Sequence, residues 1–307
     1  MATTGMRRGQ MPWAMRRAIG YSRGMSRTLA IAVVQNRAAA DFAVNLDRCL
    51  SFAAEAVRDG AKFVALPEYF SGLRADGPRI HPVAFRESEH PAIPAFAELA
   101  RRNGAIVLLG SLGVLAPDGR IFNRSYLIDA QGKIAARYDK LHLFDIDLPD
   151  GTPVRESQTI APGTDAVLAR LADAAIGLSI CYDLRFPLLY RKLAQAGAEI
   201  LAIPAAFTKV TGEAHWHVLN RARAIENGAF VIAPCQYGTL AGGSECYGHS
   251  LIVDPWGRVL ADGGEAENVV LAEIDLAEVA KTRARIPSLT HDRPFAVENV
   301  MRAVAAE

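Results

Sequence analysis

Four short runs in this chain are apolar almost without a break: TLAIAVVQ at Thr28–Gln35, KFVALP at Lys62–Pro67, IGLSIC at Ile176–Cys181 and EILAIP at Glu199–Pro204. A strand with one wet face alternates apolar and polar residues, whereas an unbroken run belongs to a sheet covered on both faces. The segments between the runs supply covers. Phe42–Arg58 brings Leu46, Leu50, Ala53, Ala54 and Val57 to one helical face, and Gly60 follows its end. Pro91–Asn103 reads as a second helix and Ala105–Gly113 as a third strand. Asn123–Asp129 and Lys133–Tyr138 flank the turn AQG as a hairpin. Helix then follows Pro187 in LLYRKLAQAG, and again over Glu213–Asn227 with Thr211 as N-cap and over Leu276–Arg285. Ala229–Gln236, Gly248–Asp254, Arg258–Ala261 and Asn268–Asp275 read as further strands. The pattern predicts an α/β fold, a mixed sheet with helices outside it.

With 307 residues, half of them apolar, the chain can bury a large core as one α/β domain. A net charge of +1 gives no reason to expect a nucleic acid or a membrane surface as partner, and no apolar run approaches membrane-span length. Cys49, Cys181, Cys235 and Cys246 are widely spaced, with no CxxC and no Cys/His cluster of zinc spacing. Free thiols in a reducing compartment fit this usage, and a cytoplasmic location is expected. Residues 1–27 stand apart, with six arginines from Arg7 to Arg27 and no acidic residue. They read as a basic tail without structure or an over-extended start before Met25, with a transit segment as the alternative. The expected organisation is this leader, a main domain over 28–294, and a tail over 295–307.

Three residues carry chemistry by position. Cys181 lies where a strand stops and a helix begins, beside the unpaired N–H groups that favour a thiolate and a developing oxyanion; the plain alternative is a buried small hydrophobe. Glu68 follows an apolar strand directly, at the edge where open α/β sheets place ligands. Lys140 opens a long irregular stretch that runs to Gly163, with Glu156 near its exit. A carboxylate to take the thiol proton, a thiolate to attack a carbonyl and a cation for the oxyanion suffice for thiol-based amide hydrolysis. A Cys–His arrangement competes, but His142, His215, His217 and His249 follow no cysteine-protease signature, and His142 reads as structural. Arg223 and Glu226, three apart on a helix, read as a surface ion pair.

LPEYF around Glu68, YDKLHLFD around Lys140 and CYDLRFP around Cys181 together resemble the nitrilase superfamily of carbon–nitrogen hydrolases. The likeness extends in order through RESQTIAPG, AGAEILAIPAAF, TGEAHWHVLNRARAIENGAFVIAPCQYG and YGHSLIVDPWG, from Thr28 to about Pro294. It implies a four-layer α-β-β-α sandwich, paired into a homodimer or higher homo-oligomer across its outer helices. It assigns a Glu-Lys-Cys triad to Glu68, Lys140 and Cys181, with Glu156 orienting Lys140 or the substrate amide. Lys140 and the backbone N–H of Tyr182 would hold the oxyanion, and Cys181 would form a thioester. No metal and no organic cofactor enter that scheme.

CYDLRFP and TGEAHW resemble the Nit branch, whose members cleave terminal amides of small dicarboxylic acids, and there most of all the amidases of deaminated glutathione. The ω-amidases acting on 2-oxoglutaramate come next. The N-carbamoyl amino-acid amidohydrolases share the triad, and a catalytically silent binding or assembly protein is the reading from another class. A carboxylate-bearing substrate needs a cation. Arg185 is the candidate, against a structural ion pair with Asp183, and Phe207, Thr208 and His215 are candidates to line the pocket.

Overall fold

The computed structural model describes residues 27–299 apart from 77–78, 148–150, 152 and 241–242. The leader expected over 1–27, save Arg27, and the last eight residues of the tail lie outside the described residues. Arg27 is held on the body of the protein, donating to Glu199 Oε1 at 2.6 Å.

The first half of the chain lays down strand β1 (Thr28–Gln35), helix α1 (Phe42–Arg58), strand β2 (Phe63–Ala65), helix α2 (Ala92–Asn103), and strands β3 (Ile106–Leu115), β4 (Ile121–Ile128) and β5 (Ile134–Asp139). The second half repeats the plan with β6 (Val167–Arg170), β7 (Ala175–Leu178), helix α3 (Pro187–Gln195), β8 (Ile200–Ala202), helix α4 (Lys209–Asn227), β9 (Phe230–Ala233), β10 (Leu251–Val253) and β11 (Val259–Asp262). Strand β12 (Asn268–Asp275) then returns to the first sheet, pairing antiparallel with β1, and helix α5 (Ala277–Arg285) follows. In the first sheet β1, β2 and β3 are parallel neighbours, with β4 antiparallel beside β3. In the second, β7, β8 and β9 are parallel, flanked by antiparallel β6 and β10.

Alternation along β1 explains the four layers. Leu29, Ile31 and Val33 join a core that includes Ile176, Leu178, Ile200 and Ala202 of the second sheet. Ala32 and Val34 point the other way, into a core built with Cys49, Ala53, Phe96 and Ala100 of α1 and α2. Trp216, fully buried on α4, and Leu189 and Leu193 of α3 cover the far side of the second sheet. The order is helices, sheet, sheet, helices, the sandwich that the resemblance implies. Each large side chain buried in these layers contributes about 1.5–3 kcal/mol.

Local differences from the sequence reading have physical causes. The helix expected over Glu213–Asn227 begins four residues earlier, at Lys209, and Thr208 takes the cap position expected at Thr211. Its hydroxyl bonds the Thr211 hydroxyl at 2.7 Å. The stretch from Tyr138 to Gly163 is not structureless: Asp145–Asp147 pairs with Pro153–Arg155, and Ile160–Ala161 adds to the edge of β4. Pieces of two or three residues are too short to show a period.

Candidate active site

Both sets of parallel strands deliver chemistry at their C-terminal ends, as open sheets do. After β2, Leu66 still pairs with Leu108 across the sheet at 3.0 Å. The chain then turns so sharply that Tyr69 takes φ 53°, which places Glu68 at the rim between the two sheets. Gly110 makes the turn feasible, since a Cβ there would lie 1.9 Å from the Leu66 carbonyl oxygen. The bulge it sits in also brings Ser111, whose hydroxyl accepts from the Tyr69 N–H at 3.0 Å. Lys140 follows β5 and is fixed through its backbone, donating to Asn123 O at 3.0 Å and accepting from Gly163 at 2.9 Å. Only glycine fits at 163, where a Cβ would meet the Asp139 carbonyl at 2.3 Å.

Cys181 follows β7 at φ 48°, a left-handed conformation that an L-residue adopts only when its surroundings fix it. Its own N–H is spent on the Pro204 carbonyl at 2.9 Å. The next amide, that of Tyr182, donates to no acceptor among the described residues. The corner is not the start of an α-helix, as the sequence suggested. A five-residue 3-10 turn, Cys181–Arg185, intervenes before α3 begins at Pro187.

These segments close one buried charged cluster. Lys140 Nζ donates to Glu68 Oε1 at 3.0 Å and to Glu156 Oε1 and Oε2 at 3.1 and 2.9 Å. Lys140 and Glu68 are each only 2% exposed and Glu156 11%. Glu68 Oε2 accepts the Ala206 N–H at 2.8 Å, a contact from the second sheet's loop to the first sheet's carboxylate. Glu156 also accepts from the Tyr69 hydroxyl at 2.9 Å and the Phe144 N–H at 2.6 Å. Asn123 Nδ2 bridges the carboxylates, 2.9 Å from Glu68 Oε1 and 3.3 Å from Glu156 Oε1.

The cluster sets the proton inventory. Burial, and next the Glu68 carboxylate, push the Cys181 thiol well above its ordinary range, and Lys140 only partly opposes them. The resting residue is therefore a thiol, the form from which a carboxylate is expected to take the proton: burial and the Glu68 charge outweigh the preference of a helix start for a thiolate. Burial alone would pull Lys140 down, but Glu156 and Glu68 outweigh it and raise the ammonium well above its usual value. A thiol that needs a base thus lies in the field of a carboxylate, with a permanent cation beside it.

Sequence reasoning missed the supports. Asp183 is fully buried and accepts from the Tyr138 hydroxyl at 2.6 Å, the Ile180 N–H at 2.8 Å and His142 Nδ1 at 2.7 Å, tying the Cys181 turn to the Lys140 segment. His142, stacked on Phe186 at 3.5 Å, is structural as read. Arg223 is buried rather than a surface residue: its Nε and Nη2 donate to Leu184 O at 2.9 and 2.7 Å, bracing the same turn, while Nη1 reaches Glu226. Asn123 carried one available signal, since asparagine is depleted within strands.

Among the proposed binding residues, Arg185 is not paired with Asp183, which is already saturated. Its guanidinium lies over the Phe207 ring at 5.4 Å and the Tyr182 ring at 5.9 Å, beside His215 Nδ1 at 3.3 Å. No carboxylate pairs with it among the described residues. Phe207 is buried against Trp216 and serves as the platform beneath Arg185, while Thr208 stands at the N-cap position of α4 and His215 is exposed. Cys235 and Cys246 adjoin the loop that holds Glu68, through bridges to Ala205 and Thr208. Both are buried free thiols, and desolvation pushes Cys235 up to about 12. A cavity of about 470 Å³ lined by Arg27, Leu29, Lys62 and Ile106 opens at the opposite, N-terminal ends of the first sheet's strands and includes none of these groups.

Residues 30–284 match the family model described as carbon-nitrogen hydrolase. The chain is 41% identical over 241 residues to a deaminated glutathione amidase of Synechocystis sp., covering 77% of this chain and 88% of that one. It is 37% identical over 287 residues to the Homo sapiens protein of the same name, covering 91% and 86%. The NitFhit protein of C. elegans superposes with a TM-score of 0.78 at 34% identity, over 87% of this chain and 65% of that longer one, so this chain spans about two thirds of its length.

Proposed function

The chain belongs to the carbon–nitrogen hydrolase family of the nitrilase superfamily, and from that premise we propose that it is a thiol amidase releasing ammonia from the terminal amide of deaminated glutathione or a similar 2-oxo acid amide. One observation carries the reading. Glu68, Lys140 and Glu156 form a closed buried cluster in whose field the strained Cys181 lies, beside a backbone N–H without an acceptor.

Each residue then has a step. Glu68 takes the Cys181 proton as the sulfur attacks the amide carbon, which offsets the cost of making a thiolate in a net-negative site. Lys140 Nζ and the Tyr182 N–H receive the charge that develops on the carbonyl oxygen. Glu68 returns its proton to the departing nitrogen, ammonia leaves, and a thioester remains on Cys181. Water then attacks the thioester with Glu68 again as base, releasing the acid and restoring the thiol. Glu156 and Asn123 hold Lys140 and Glu68 in register throughout. Arg185, the half-buried cation without a carboxylate partner, binds the substrate carboxylate from its platform on Phe207, with His215 and Thr208 beside it.

The relatives named as deaminated glutathione amidases support a pocket that admits a peptide tail. The same reading takes 28–294 as the hydrolase domain and pairs two chains across α3 and α4, whose outer faces expose Leu188, Val210, Val218 and Ile225. Ammonia release from deaminated glutathione, 2-oxoglutaramate, an N-carbamoyl amino acid and a simple nitrile, with Cys181→Ser as blank, tests the substrate. Preference for deaminated glutathione is expected. Preference for 2-oxoglutaramate moves the assignment to ω-amidase, and turnover of the carbamoyl compound alone overturns the substrate while keeping the triad.

A further inference from the structure

Outside the catalytic cluster, three side chains from three separate elements converge beside α4. His217 on α4 places Nε2 3.0 Å from Asp262 Oδ2, at the end of β11. His249, in the loop before β10, places Nδ1 2.8 Å from Asp262 Oδ1. One ligand atom from each of the three residues lies within 4.8 Å of those of the other two. We propose that His217, His249 and Asp262 form a binding site for one zinc-class divalent ion, apart from the catalytic cluster.

The donor set suits such an ion. Two imidazoles and a carboxylate are ligands for late first-row metals, zinc foremost, and leave a coordination position for water. Ligands about 2.0–2.1 Å from one ion stand roughly 3.3 Å apart in a tetrahedral site. The two imidazole–carboxylate gaps are already inside that spacing, and the two imidazole donors lie within 4.8 Å of each other. Among the described residues no lysine or arginine pairs with Asp262, so its charge has no permanent cationic partner. His217, His249 and Asp262 keep 33, 19 and 34% side-chain exposure, which leaves an ion a path in.

Their placement is fixed from outside the cluster. His249 holds φ 52°, its N–H donating to Gly264 O at 2.9 Å and its carbonyl accepting from Trp216 Nε1 at 2.7 Å. Tyr247 stacks on its ring at 4.5 Å. The other ring nitrogen, Nε2, faces Glu265 Oε1 at 3.9 Å, the side on which metal-bound histidines favour a carboxylate. Asp262 Oδ1 is oriented by the Gly264 N–H at 2.8 Å. An ion here would tie α4 to the β10–β11 hairpin. It would also steady the segment that ends at Phe207, whose carbonyl accepts the Tyr247 N–H at 2.9 Å.

Equilibrium dialysis of the full chain against Zn²⁺ alone tests this, with Co²⁺ as the spectroscopic stand-in. One equivalent per chain is expected, with affinity lowered about tenfold or more in Asp262→Asn and in His217→Ala. Bound Co²⁺ should give visible d–d absorption without thiolate charge transfer, and Cys181→Ser should bind equally well. The proposal is overturned by no saturable binding, by unchanged affinity in the near-isosteric Asp262→Asn, or by a thiolate band that disappears with Cys181→Ser. Amide turnover in Asp262→Asn is expected at the wild-type rate, so failure here leaves the amidase reading intact.

Discussion

Two clusters of ionisable side chains sit within one chain at opposite depths. Glu68, Lys140 and Glu156 are shut between the sheets, whereas His217, His249 and Asp262 stand a fifth to a third exposed beside α4. Burial makes the first cluster expensive to disturb, because each remaining charge would be stranded where water cannot reach it. Exposure makes the second replaceable, because water and salt take over from any lost partner. Energetic stake, more than residue type, separates the cluster proposed for covalent chemistry from the one proposed to take up an ion.

The largest effect sharpens the comparison at the catalytic end. Cys181→Ser should lower ammonia release by about 10³-fold or more while the fold persists, since the variant keeps the cluster and loses only the nucleophile. Circular dichroism together with the turnover assay checks both halves, and a rate near wild type would remove the thiol from the mechanism. Lys140→Met goes further, keeping the shape but leaving two carboxylates facing each other in the core. Beyond lost turnover, it should cost about 3–5 kcal/mol in urea unfolding. Adding Glu156→Gln should recover part of that loss. If Lys140→Met unfolds within 1 kcal/mol of wild type, the cluster is solvated and the contrast drawn above is wrong.

An apolar cage gives an intermediate case. His90 is buried among Phe42 and Phe85, its Nδ1 accepting from the Ala92 N–H at 3.3 Å, and burial lowers its pKa to about 4. The folded value is depressed below the unfolded value of about 6.5, so between those limits the unfolded chain binds a proton that the folded chain refuses. Stability is therefore full above about pH 6.5 and falls as pH drops, by about 3 kcal/mol at most near pH 4. Unfolding midpoints measured across that window should show the decline, and His90→Gln should flatten it. An identical slope in the variant would assign the acid limb to carboxylates instead.

Legibility followed the same division. β1, α1 and β12 lie at Thr28–Gln35, Phe42–Arg58 and Asn268–Asp275 as the sequence predicts, because long periodic segments carry their own signal. Glu68, Lys140 and Cys181 were legible as candidates because Glu68 closes an apolar run, Lys140 opens a long irregular stretch and Cys181 marks a strand-to-helix corner. Asp183 and Arg223 were not, since a charged residue within a turn or on a helix reads as solvated, and only tertiary packing encloses it. The extent to which the thiol is raised was hidden for a related reason: no local feature at Cys181 reveals its burial or the carboxylate arriving from position 68. The histidine cluster was hidden most completely. Zinc spacing is recognised when ligands lie close in sequence, and positions 217, 249 and 262 come from a helix, a loop and a strand.

The smallest predicted effect bears on that last cluster. In metal-free buffer Asp262→Asn removes the carboxylate that accepts from His217 and His249 but keeps an oxygen in place. Each lost contact is a partly exposed pair, so the cost should stay below about 1 kcal/mol and shrink further in high salt. The contrast with Lys140→Met is then at least threefold in free energy for one charge removed from each cluster. Urea unfolding of both variants side by side, at low and high ionic strength, reads it directly. A loss of about 3 kcal/mol or more in Asp262→Asn, insensitive to salt, would mean that the half-exposed cluster is as tightly built as the buried one. Depth would then no longer separate the two clusters.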